Sequence, residues 1–145
     1  MLSSKNKEKI YIKCIESIKS TSESNKLKFI SKLLFESFDN WIFCGFYFQE
    51  NDKLLVSEYS ANKIPCSPIE FNGVCGTAIL KNKILNIEDI NTFQGHIVCD
   101  NDSKSELCIP FDIDGIKYVL DVDSNIYNAF CEIDEKYLVK IIKEF

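Results

Sequence analysis

Seven cysteines and a single histidine carry most of the chemistry open to this sequence. The most informative stretch is GHIVCDNDSKSE, residues 95–106, in which Cys99 follows His96 by three positions and precedes acidic, amide and hydroxyl side chains. A thiol that serves only packing behaves as a small hydrophobe and belongs among apolar neighbours. A thiol in a polar connecting segment is open to thiolate attack, oxidation and disulfide exchange. The other cysteines are Cys14, Cys44, Cys66, Cys75, Cys108 and Cys131. An odd count argues against a structural disulfide framework. There is no C-x-x-C pair, and one histidine is too few for the common zinc patterns, so no metal is expected. Inert buried thiols and redox-active thiols remain as the two readings. Packing is favoured for Cys14, Cys44, Cys108 and Cys131.

The elements that must position these groups follow from periodicity. Residues 5–19 and 25–38 read as amphipathic helices, the first with Ile10, Cys14, Ile15 and Ile18 on one side. WIFCGFYFQ (41–49) and KLLVSEYS (53–60) form a strand pair around the turn END. Two prolines mark 60–74 as loop. GVCGTAILKN opens a short helix at a glycine, with Cys75 near its start, and KILNI is a short strand. A long connection over 88–105 is of the kind that is usually functional or disordered. ELCIPFDIDGIKYVLDVDS is a hairpin about Asp114-Gly115. Its alternation puts Leu107, Ile109, Phe111, Leu120 and Val122 on a core face. Glu106, Cys108, Asp121 and Asp123 then point the other way. Pro110 cannot donate to a ladder, so its strand is expected at an edge or irregular there. The last helix covers about 134–144, with Asp134 as N-cap.

This order predicts a single α+β domain over 1–145: an antiparallel sheet with the N- and C-terminal helices on one face and a loop-covered ligand pocket on the other. With 27% charged and 46% hydrophobic residues the chain is ordinary for a globular domain. The formal charge is −5, and every basic residue is a lysine. An acidic chain without a basic cluster is a poor nucleic-acid binder. Without arginine, a bound acid must be held by lysine, backbone N–H groups or a helix N-terminus. No apolar run approaches a membrane span, and the polar start MLSSKNKEKI does not resemble a signal peptide. A cytoplasmic location is the expectation.

GVCGTA, FQGHIVCD, SKSELCIP and VLDVDS, in that order, resemble the GAF-domain free methionine-(R)-sulfoxide reductases over about residues 40–135. The resemblance implies a GAF-like fold and thiol-dependent reduction of free methionine (R)-sulfoxide. It implies Cys99 as the nucleophile, which becomes a sulfenic acid as methionine leaves. Cys66, or Cys75 in its place, then attacks Cys99 to form a disulfide. Thioredoxin or a similar dithiol restores the thiols, with no bound cofactor. By the same resemblance Glu106, Asp121 and Asp123 bind substrate. Carboxylates can hold its free ammonium, and crowding keeps one of them protonated as a donor to the sulfoxide oxygen. Glu106 and Asp123 are both candidates for that donor. A peptide-bound residue has no ammonium to offer. Family members carry NWxGFY, whose aromatic side chains wall the pocket; here the text is NWIFCGFY, two residues longer. Aligned from GFY, Tyr47 keeps its place and Phe43 falls on the tryptophan. Aligned from NW, Trp41 does, although strand alternation puts Phe43 on the side of Tyr47. Family members are commonly homodimers. His96 reads as a loop-ordering residue. A non-catalytic GAF sensor for a small ligand or redox state, and a general peroxide-reducing thiol protein, are the rival readings.

Overall fold

The computed structural model describes residues 2–95 and 101–143. His96, Cys99 and Asp100 lie outside the described residues. The elements follow the sequence periodicity closely: α1 (Ser4–Ser20), α2 (Lys26–Ser37), β1 (Trp41–Glu50), β2 (Lys53–Ala61), α3 (Val74–Lys81), β3 (Leu85–Ile87), β4 (Ser105–Ile113), β5 (Ile116–Ser124) and α4 (Glu132–Ile142). The strands form one antiparallel sheet in the order β2-β1-β5-β4-β3. The β4–β5 turn places Asp114 and Gly115 at φ 50° and 81°. Two left-handed residues give the turn the twist that a two-residue hairpin loop requires.

Alternation along the strands separates two cores. On one face Cys44, Phe46, Leu107, Ile109, Leu120 and Val122 pack against α1, α2 and α4. On the other, Phe43, Tyr47, Cys108 and Val119 meet α3 through Val74, Cys75, Ala78 and Ile79. Burying both faces of the sheet explains why β1 is apolar at nearly every position rather than alternating. β3 pairs with β4 only from Glu106 to Cys108, so Pro110 sits beyond its end, where no donor is needed on that side.

Two expectations need correction. Trp41 is not on the face of Tyr47: the β1–β5 register slips between Trp41 and Phe43, and an irregularity of that kind reverses the side on which preceding residues emerge. Trp41 stacks on Phe38 at 4.4 Å and packs against Phe130, in the helix-side core. Asp134 is not the N-cap of α4 either. Cys131 caps the helix, and Asp134 stands three residues in, accepting from the Cys131 N–H at 2.8 Å. It also accepts from Lys7 Nζ and from the Tyr11 hydroxyl, each at 2.6 Å. Lys7 Nζ donates further to the Ala129 carbonyl at 2.8 Å. This buried network joins α1 to α4. No helix among the described residues is long and apolar enough to cross a membrane.

Candidate active site

The face of the sheet opposite the terminal helices is not fully covered. Between β1, β5, α3 and the 62–73 loop lies a cavity of about 680 Å³, counting its open mouth. Phe43, Tyr47, Cys75, Glu106, Asp121 and Asp123 all line it. β1, β4 and β5 deliver these side chains together because their registers align: Glu106 lies opposite Asp123 and Cys108 opposite Asp121, while Asp123 and Asp121 face Phe43 and Gly45. Gly45 lies in the row between the two aromatic residues. A Cβ there would meet Tyr59 Cβ at 2.5 Å and Phe43 Cζ at 2.9 Å, so glycine is what lets Phe43 lie flat between Tyr59 and Tyr47. Gly76 similarly allows the start of α3 to close on the backbone of Phe71.

The electrostatics are those of a crowded acidic floor. Burial, then the charges of Asp121 and Asp123, pushes the Glu106 carboxyl well above the usual carboxylate range, and its hydrogen bond with Asp121 adds to the effect. A neutral Glu106 is therefore a donor within the cavity. The Tyr47 hydroxyl is also pushed up by burial and these acids. It donates to the Cys66 carbonyl at 2.9 Å, which ties the Cys66 segment to the cavity wall. Cys66 is disulfide-bonded, whereas Cys14, Cys44, Cys75, Cys108 and Cys131 are free thiols. Cys75 lies at the cavity floor, with its Sγ 3.3 Å from Cys108 Sγ. The Cys108 contact pulls the Cys75 thiol down, but burial and the neighbouring acids outweigh it and push it up to about 12. Burial raises Cys108 well above the ordinary thiol range as well.

Of the residues expected at the site, the structure brings Phe43, Tyr47, Cys75, Glu106, Asp121 and Asp123 to one cavity, sets Cys66 beside it, and puts Trp41 on the opposite face. Two contributions were not anticipated. Ser103 is buried in the lining and its hydroxyl has no hydrogen-bond partner among the described residues. Lys63 also lines the cavity and lies 3.5 Å from Asp102. Cys108, which alternation already sets on the side of Glu106, is fully buried among apolar neighbours as expected, with its Sγ 3.5 Å from Glu106 Oε2 and 3.4 Å from Asp121 Oδ1.

No protein-family model matches the chain. Individual proteins do. The chain is 38% identical over 116 residues to the free methionine-R-sulfoxide reductase of Escherichia coli, covering 79% of this chain and 70% of that protein. It is 41% identical over 128 residues to GAF domain-containing protein A of Dictyostelium discoideum, covering 85% and 80%. The reduced form of fRMsr from Staphylococcus aureus superposes with a TM-score of 0.81 at 32% identity, over 95% of this chain and 91% of that one. The chain belongs to the free methionine-R-sulfoxide reductase family, built on the GAF fold.

Proposed function

We propose that the protein reduces free L-methionine (R)-sulfoxide to methionine. The observation that carries this reading is the convergence of Glu106, Asp121 and Asp123 on one aromatic-walled cavity beside disulfide-bonded Cys66. The substrate ammonium is held by Asp121 and Asp123 through charge-assisted bonds. Its carboxylate is met by Lys63 and by the N-terminus of α3, whose first residues line the cavity. The methyl and methylene groups lie against Phe43 and Tyr47. Such a cavity rewards both charged ends of a zwitterion, which a residue inside a peptide lacks.

Cys99 as a thiolate attacks the sulfoxide sulfur. Glu106, which burial keeps protonated, donates to the departing oxygen. The sulfur is reduced by two electrons, methionine leaves, and the oxygen stays on Cys99 as a sulfenic acid. Cys66 attacks that sulfur, water leaves, and a disulfide forms. Cys75 is the substitute nucleophile, but its raised pKa makes it the poorer one. Thioredoxin or a similar dithiol then reduces the disulfide. The working protein is a cytoplasmic homodimer without a bound cofactor.

The test is to incubate the reduced protein with dithiothreitol and each sulfoxide epimer and to measure methionine. Turnover of the free R form alone is expected. No turnover, combined with tight binding of an unreacted ligand, would favour the sensor reading. Comparable rates on hydroperoxides would favour the general thiol protein. A Cys99→Ser variant should be inactive, and mass spectrometry after one turnover should find Cys66 bridged to Cys99. A Cys99→Ser protein with full activity overturns the residue assignment.

A further inference from the structure

Cys108 is not needed for the reaction above, yet it completes an unusual group. Cys75 Sγ, Cys108 Sγ, one Glu106 oxygen and one Asp121 oxygen all lie within 4.8 Å of one another, and all four residues are buried. Three of the four line the cavity, so the group is open to a small ion from solvent.

Four of the six ligand separations match the edges of a coordination tetrahedron, and the other two are under 4.8 Å. A tetrahedral zinc ion takes sulfur at about 2.3 Å and carboxylate oxygen at about 2.0 Å, so its ligands stand roughly 3.8 Å apart for two sulfurs and roughly 3.5 Å apart for sulfur and oxygen. The observed separations are 3.3 Å for the two sulfurs, 3.9 Å for Cys75 to Glu106, 3.5 Å for Cys108 to Glu106 and 3.4 Å for Cys108 to Asp121. Each lies within about half an ångström of the edge it would become. The group also has the right chemistry. Two thiols beside two carboxyls are stable in a buried site only while protons or a cation hold off their mutual repulsion. Thiolates select thiophilic ions such as zinc over magnesium or calcium.

We propose that Cys75, Cys108, Glu106 and Asp121 form a binding site for a thiophilic divalent cation, zinc being the physiological candidate, at the floor of the cavity. Occupancy displaces the protons of both thiols, so affinity rises with pH. It also engages Glu106 and Asp121, which the substrate needs. The ion is therefore a competitor of methionine sulfoxide rather than a cofactor; that consequence alone rests on the proposed function.

The probe is cadmium, whose charge-transfer absorption with thiolates lies at longer wavelength than that of zinc. Fully reduced protein is titrated anaerobically with cadmium, and zinc is then used to displace it. The wild type should bind one equivalent, with absorption for two thiolates, and zinc should bleach it. In Cys108→Ser and Cys108→Val affinity should fall by more than the roughly 10–100-fold that loss of a merely supporting residue costs. Two variants of different polarity guard against misfolding of either, and retention of the wild-type thermal transition without metal shows that each is folded. Absence of binding in the wild type overturns the site. So does equal binding in a folded Cys108 variant, because the metal would then sit on other thiols. Neither readout depends on turnover: an inactive protein that binds cadmium through Cys108 refutes only the proposed function, and an active one that does not refutes only the metal site. In an active protein, zinc should raise the apparent KM for the sulfoxide without lowering kcat, and the effect should fade in both variants.

Discussion

Replacing Glu106 by glutamine should stabilise the fold while disabling the reaction, and the size of the stabilisation should depend on pH. Glutamine keeps the shape and can still donate to Asp121, but it has no proton to give up. In the native protein burial and the charges of Asp121 and Asp123 raise the Glu106 carboxyl well above its ordinary value. The native state then binds this proton more tightly than the unfolded chain does. The stabilisation from the protonated carboxyl is complete below the unfolded carboxyl value of about 4.3 and is lost as pH rises through the native value. Between those limits the native protein holds up to one proton more than the unfolded one. Wild-type stability therefore falls, relative to the variant, by up to about 1.4 kcal/mol per pH unit, or about 2.7 kcal/mol over two units. Against a total of roughly 5–15 kcal/mol that is a large effect. Urea unfolding of both proteins at a series of pH values measures it; the difference between them is the readout, because the other carboxyl groups are present in both. Turnover should fall by roughly 10²–10⁴, the usual range for removal of a general acid. Parallel stability curves, or a wild type that gains on the variant as pH rises, would refute the account of Glu106 as a buried proton store.

Three further outcomes follow from contacts already described. Phe43→Ala should raise KM for the sulfoxide because Phe43 lines the cavity, whereas Trp41→Phe should lower the thermal transition and leave KM alone; steady-state kinetics and a melting curve separate the two. Lys7→Met should cost about 3–5 kcal/mol in chemical denaturation, since it strands a fully buried Asp134 without its cation. Gly45→Ala should give a less stable protein with weakened substrate binding, as its Cβ cannot fit 2.5 Å from Tyr59 without pushing β2 or Phe43 aside; unchanged KM and unchanged stability would contradict the packing described.

The hairpin at 105–124 shows what a sequence displays openly. Its alternation alone separates Leu107, Ile109, Leu120 and Val122 from Glu106, Asp121 and Asp123, because side-chain direction in a strand has a period of two. Its turn is equally legible, because Asp-Gly is suited to two positive φ angles. Trp41 was ambiguous for the complementary reason. The register slip beside it depends on how β5 pairs with β1, across some eighty positions of chain, and nothing local to NWIFCGFY encodes it. Asp134 reads as a cap by type and position, yet its partners Lys7 and Tyr11 lie more than 120 residues away in sequence. Cys75 and Cys108 are 33 residues apart, so a search for closely spaced ligand pairs passes over them, although α3 and β4 bring them together. Ser103 carried no signal at all; only its burial and its lack of a partner among the described residues single it out.

The segment that carries Cys66 has a second duty. β2 is an outer strand of the sheet, and the loop that follows folds back along it: Leu54 and Ile69 exchange both backbone hydrogen bonds, at 3.0 and 2.8 Å, and the Ser67 hydroxyl accepts from the Val56 N–H at 2.9 Å. The loop thereby occupies backbone groups that would otherwise recruit a strand from another molecule. A redox cycle that peeled this loop away at every turnover would repeatedly bare a template for self-association. The pairing ties the loop from Ser67 onward to β2, so a movement of Cys66 that left this edge covered would have to arise in the residues ahead of Ser67.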